Sequence, residues 1–224
     1  MLLLHLDAYH LGDPLFVTGL ARDLQVRGAG AILVHGSAER GERAIESLGH
    51  EAVAVDGAWQ PPDPEAAAAV EKAARDVNRE IAHELNEAGI ASVRVIGADR
   101  GLLRRNEGRL EVGRAGWIAT LAGQGVVVVV AAFVEDGEPA LREVSPLEAT
   151  ARLAGALEVP MSLLASKRVD TGPETPADDV IAALPDPEAA GQQLAAGVEV
   201  VVLQRSDLRA NGAGRALRRE RAAH

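Results

Sequence analysis

Few residues in this chain have types and spacing that suggest chemistry, and the clearest pair is Gly36-Ser37. It follows the branched apolar run Ala31-Ile32-Leu33-Val34 and His35. It precedes residues 38–48, whose spacing predicts a helix closed by Gly49. A strand that passes into a helix through Gly-Ser offers backbone N–H groups to an anion. The glycine lets a ligand come close to the backbone, and the serine caps the helix. The same residues also fit an ordinary βα turn with a capping serine, and spacing leaves both readings open. Other chemistries find less support. Gly28-Ala29-Gly30 comes before its strand, the wrong place for a dinucleotide fingerprint. His10, His50, His83 and the acidic residues show no metal-ligand spacing. Ser37 does not sit in a Gly-x-Ser-x-Gly elbow, and the absence of cysteine excludes thiolate sites and disulfides.

Composition narrows the class further. The 224 residues suit one large α/β domain or two small ones. Hydrophobic residues make up 47% but aromatics only 2%, so the core must be built from Ala, Val, Leu and Ile. A net charge of −10 argues against a general nucleic-acid binder, which needs clustered cations. Lysine is scarce: Lys72 and Lys167 stand against 21 arginines. Six of those, Arg205, Arg209, Arg215, Arg218, Arg219 and Arg221, give the C-terminal segment a basic patch, read as a solvated helix end or tail. The first residues carry Asp7 too early for a signal peptide, and the apolar run 125–134 is about half a membrane span. The expectation is a cytoplasmic protein with no membrane partner.

The elements that must position Gly36-Ser37 follow from periodicity. Strands are predicted at 2–6, 31–34, 52–55, 92–96, 126–130, 161–165 and 198–203. Helices are predicted at 15–26, 38–48, 65–88, 113–123, 146–157 and 187–196. Ser145-Pro146-Leu147-Glu148 has the cap, first-turn proline and acidic residue of a helix start. Glu135-Asp136-Gly137-Glu138 suggests a turn, and 170–187 a Pro/Asp-rich connector with one short helix. No Asn-Gly type hairpin and no internal repeat is found. Alternating strands and helices predict an α/β fold, a mainly parallel sheet sandwiched by helices.

The segment from Leu33 to His50, LVHGSAERGERAIESLGH, resembles the stretch that opens the substrate pocket in the amino acid kinase family. The likeness is greatest to acetylglutamate kinases and to carrier-protein-linked aminoadipate and glutamate kinases. Asp76-Val77-Asn78 resembles that family's mid-chain Val-Asn-Lys helix, and Gly97-Ala98-Asp99-Arg100-Gly101 its Gly-x-Asp-Gly-x-Leu loop. The runs 125–131, 153–157, 162–164 and 197–201 resemble later family segments in the same order. The resemblance implies one kinase-like domain over 1–224, with an acyl-amino-acid side (1–134), a nucleotide side (135–205) and a basic tail (206–224). It implies that Gly36 and Ser37 face the transferred group or the substrate carboxylate, with Asn78 and Asp99 lining the same cleft.

The departures from the family pattern fall on the chemistry. Phosphoryl transfer to a carboxylate requires cations at the phosphates. The first-strand lysine of the family is His5 here, followed by Asp7 where glycine is expected. The organising aspartate falls on Leu147, the later Thr-Asp on Ala165-Ser166, and residues 178–193 contain no lysine. The substrate-binding arginine falls near Trp59. Lys167, His5 if protonated, Arg100 or Arg104 are the substitutes available. Two functions therefore stand side by side. One is a degenerate homologue that binds an acyl amino acid or nucleotide, or pairs with an active relative. The other is an ATP-dependent carboxylate kinase of arginine or lysine biosynthesis that uses Mg2+. A homodimer is implied by the resemblance in both cases.

Overall fold

The computed structural model describes residues 1–136, 141–172, 174–209 and 214–218. Gly137 and Glu138 of the predicted turn, and Arg219 and Arg221 of the basic patch, lie outside them. Seven strands form the central sheet: β1 (Leu2–Leu6), β2 (Ala31–His35), β3 (Ser92–Ile96), β4 (Val127–Ala131), β5 (Met161–Leu164), β6 (Val200–Leu203) and β7 (Arg215–Leu217). Their order is β7-β6-β5-β1-β2-β4-β3, and all pairs are parallel except β6 with β7. Register is set by apolar runs buried on both faces, with Leu2 beside Ala31 and Ala31 beside Val127. Such runs suit a parallel sheet covered on both sides.

Among the described residues, six helices of eight or more residues pack on it: α1 (Phe16–Arg27), α2 (Glu39–Ser47), α3 (Pro64–Glu87), α4 (Gly116–Gly123), α5 (Pro146–Leu157) and α6 (Pro187–Ala195). Because side chains alternate along a strand, each strand divides its residues between two cores. Leu3, Ile32, Val34, Val128 and Val130 face Ile118 of α4 and Leu153 of α5. Leu2, Leu4, Leu33, Val127 and Val129 face Phe16 and Leu20 of α1 and Ile81 and Leu85 of α3. A third cluster, around Ile45, Val70 and Phe133, seals α2 against α3. Helix starts follow their local signals: Asp63, Ser145 and Asp186 each accept a backbone N–H three residues on, and each is followed by proline.

Three departures from the sequence reading stand out. Residues 52–55 do not join the main sheet; Ala54–Val55 pairs antiparallel with Ala58–Trp59 through Asp56-Gly57. A second hairpin joins Leu103–Asn106 to Arg109–Val112 through Glu107-Gly108. In both turns the two central residues have positive φ, 51° and 76° in the first and 49° and 78° in the second, the requirement of a type I′ turn. Thirdly, part of the presumed tail is structured. Arg205–Arg209 is a turn of helix, and β7 closes one edge of the sheet. Arg205 and Arg209 both bind the carboxylate of Asp23, which is wholly buried in α1.

Candidate functional site

The carboxyl ends of β1, β2 and β5 open onto a cleft of about 1070 Å3. It lies where the chain leaves β1 in one direction and returns beside it from the other, the usual position of a ligand in an open parallel sheet. Its walls come from the segments after β1 and β2, the Asp56-Gly57 turn, and α5 and α6 along their length, as far as Ala156 and Ala196.

The sequence-predicted turn is at its edge. Gly36 lines the cleft, while Ser37 is buried just behind it. The next residue, Ala38, is held at φ 52° and ψ −148°, a region almost confined to glycine. Trp59 fixes it there, its Nε1 donating to the Ala38 carbonyl at 2.8 Å. Gly41 is required by close approach, since an added Cβ would lie 2.2 Å from Ser37 Oγ and 2.5 Å from Trp59 Cδ1.

The outstretched backbone N–H of Ser37 is already taken. It donates to Oε1 of Glu143, and the Trp59 N–H donates to Oε2 at 3.0 Å. Glu143 reaches this point from the antiparallel pair of Phe133–Val134 with Arg142–Glu143. Its carboxylate crowds the turn: a Cβ on Gly36 would sit 2.7 Å from Glu143 Oε1 and 2.8 Å from Pro146 Cγ. Glu143 is 5% exposed. Burial pushes its carboxyl above the usual range, against the two amides, which favour the charged form.

At the end of β1, His5 lines the cleft with its Nδ1 unpartnered. Burial brings it down to about 4 despite the pull of Asp7, so it is neutral at pH 7. His35, its neighbour on β2, is likewise brought down to about 4 by burial, with Nδ1 against the Gly36 carbonyl at 2.8 Å. Asp7 caps the short helix Ala8–Leu11, accepting the His10 N–H at 2.9 Å and meeting the His10 ring at 2.8 Å. Burial would raise its carboxyl, but His10 outweighs that and holds it below the usual range.

The remaining predicted residues are not gathered here. Lys167 follows β5 but is exposed and does not line the cleft; its backbone N–H meets the Ala183 carbonyl at 3.3 Å. Asn78 is buried in α3 and donates through Nδ2 to the Val95 and Val129 carbonyls, tying the helix to β3 and β4. Asp99 closes a turn by accepting the Ile96 N–H at 2.8 Å. Arg100 packs over the Trp117 ring at 5.1 Å, and Arg104 pairs with Glu111 at 3.2 Å. Among the described residues the cleft is lined by Asp7, Asp56, Glu148, Asp186 and Glu188, with Arg152 the one arginine. That arginine is held by Glu148 at 3.1 Å. Among the described residues, no group of three or more His, Asp or Glu could hold a metal ion.

Sequence comparison matches no family profile and no curated protein. Structure comparison does find similar chains. An aspartate kinase from Synechocystis superposes with a TM-score of 0.67 at 14% identity, over 97% of this chain and 40% of that one. An isopentenyl phosphate kinase gives 0.65 at 14% identity, over 96% and 99%. The N-acetylglutamate synthase of Neisseria gonorrhoeae, bound to coenzyme A and N-acetyl-glutamate, gives 0.68 at 17% identity, over 100% and 61%. The fold is amino acid kinase-like. The chain spans less than two thirds of the aspartate kinase and of the synthase, and nearly all of the isopentenyl phosphate kinase. Among the described residues, no helix is long and apolar enough to cross a membrane.

The sequence reading did not find Glu143 or the paired state of Arg152. Arg152 carried a usable signal, since Glu148 lies four residues before it on a predicted helix. Glu143 carried none, because the amide it binds is 106 residues away.

Proposed function

We propose that this protein is a degenerate amino acid kinase homologue that binds a small amino-acid-like ligand in the cleft and transfers phosphate weakly or not at all. The observation that carries this reading is the charge of the cleft. Among the described residues five acidic residues line it; the lining arginine is engaged by one of them, and His5 is neutral at pH 7. A γ-phosphate needs fixed positive charge in the transition state, and among the described residues no lining side chain offers an unpaired one. The same field favours a ligand with a neutral or cationic end over a polyanion. Such a protein would act by responding to its ligand or by pairing with an active relative.

The fold neighbours suggest the probes. The Neisseria synthase is described with N-acetyl-glutamate and also with L-arginine. Isothermal titration with magnesium-ATP, N-acetylglutamate and L-arginine, followed by an assay for ADP release, tests the proposal. The expected result is no heat with magnesium-ATP and no ADP. ADP release that depends on an acyl amino acid and is lost in Lys167→Ala would overturn it and establish the ATP-dependent carboxylate kinase instead.

A further inference from the structure

The Glu143 carboxylate occupies a place built from two distant parts of the chain. Ser37 N–H comes from the turn after β2, and Trp59 N–H from the hairpin that borders the cleft. Backbone amides converging on one point form an anion site. Gly36 leaves the room the carboxylate uses, and Gly36 is also cleft wall. The pocket therefore adjoins the cleft at Gly36.

A glutamate is a costly filler for such a place. Its two amides compensate the charge only in part, and the carboxyl is held above its usual range by burial. What the position requires is an acceptor pair of carboxylate shape, whichever molecule supplies it.

We propose that the Gly36-Ser37 turn and the Trp59 amide form a carboxylate-binding pocket that the chain fills with its own Glu143, as a tethered ligand that excludes free carboxylates. The proposal rests on the cleft reading above and narrows it, because with Glu143 in place the ligand of the intact chain binds the cleft without a carboxylate at this turn. The tether gives Glu143 an effective concentration in the millimolar range or higher. A free carboxylate therefore competes poorly in the intact chain and binds well once the side chain is shortened.

The test uses the full chain with Glu143→Ala, and with Glu143→Ser as a second variant whose short polar side chain also leaves the two amides without the carboxylate. Melting temperature and titration heat are followed in sodium acetate and sodium formate against sodium chloride at equal ionic strength. The expected result is that each variant melts below the parent, and that acetate raises its melting point saturably by about 2–4 °C. The parent should show no such rise, and apparent acetate affinity should differ by about tenfold or more. A variant that is unfolded in chloride and folds in acetate supports the proposal equally. Variants that respond to acetate no more than to chloride, or that fold in neither, would overturn it and leave Glu143 as a structural linker. The outcome is separable from the function proposed above, which stands or falls on ADP release by the unmodified protein.

Discussion

Replacing Ala38 by glycine should make the protein more stable, although Ala→Gly ordinarily does the reverse. At φ 52° and ψ −148° the alanine Cβ is crowded by its own backbone. A non-glycine residue in such a region costs about 1–3 kcal/mol. Glycine removes that strain but adds about 0.4–1 kcal/mol of unfolded-state entropy. Little packing is lost, because Ala38 is partly exposed and its carbonyl, which receives Trp59 Nε1, is backbone. The net gain is about 1 kcal/mol, equivalent to roughly 2–4 °C in melting temperature for a chain of this length. Urea denaturation at pH 7 would read it, with Ala44→Gly as the control. Ala44 lies inside α2 in ordinary helical surroundings, so the same change there should destabilise by about 1 kcal/mol. Opposite signs for the two variants isolate the backbone effect. If Ala38→Gly destabilises as Ala44→Gly does, the strain assigned to the turn is wrong.

Acid should destabilise the fold through its buried histidines. His5 and His35 are held at about 4, below their ordinary 6.5, so the stability they contribute is complete above pH 6.5 and is lost as pH falls toward 4. The linkage amounts to about 3 kcal/mol for each. Glu143 acts in the opposite sense, because its raised carboxyl favours the fold below the unfolded value and loses that contribution as pH rises. Urea midpoints at pH 7, 5.5 and 4.5 should therefore fall less steeply in His5→Leu than in the parent, and equal slopes would contradict this account. The buried Asp23 predicts non-additivity at the other end of the chain. Arg205 and Arg209 are both partly exposed and both bind it, so losing either should cost about 1 kcal/mol. Losing both strands a buried carboxylate and should cost about 3–5 kcal/mol. Simple addition of the two single costs would show that Asp23 does not depend on the pair.

The sequence by itself determined the sheet and most of its helices, because those signals are local. The apolar runs of β1, β2 and β4 and the caps at Asp63, Ser145 and Asp186 each act within a few residues. The passage from strand to helix through Gly36-Ser37 was legible for the same reason, but the expected serine cap was not formed: Ala38 holds the N-cap position and no side chain caps α2. The hairpins were harder to see, since Asp56-Gly57 marks a turn but its flanking strands are two residues long and show no alternation. The edge strand β7 was missed because Arg215-Ala216-Leu217 is too short to show a strand period and is ordered by pairing with β6. Tertiary structure alone decided what occupies the turn and what charge the cleft carries. The Ser37 amide meets Glu143 only because the strand pair at 133–134 and 142–143 returns the chain to the end of β2. The neutrality of His5 likewise follows from burial, a property of the packed chain and not of the residue.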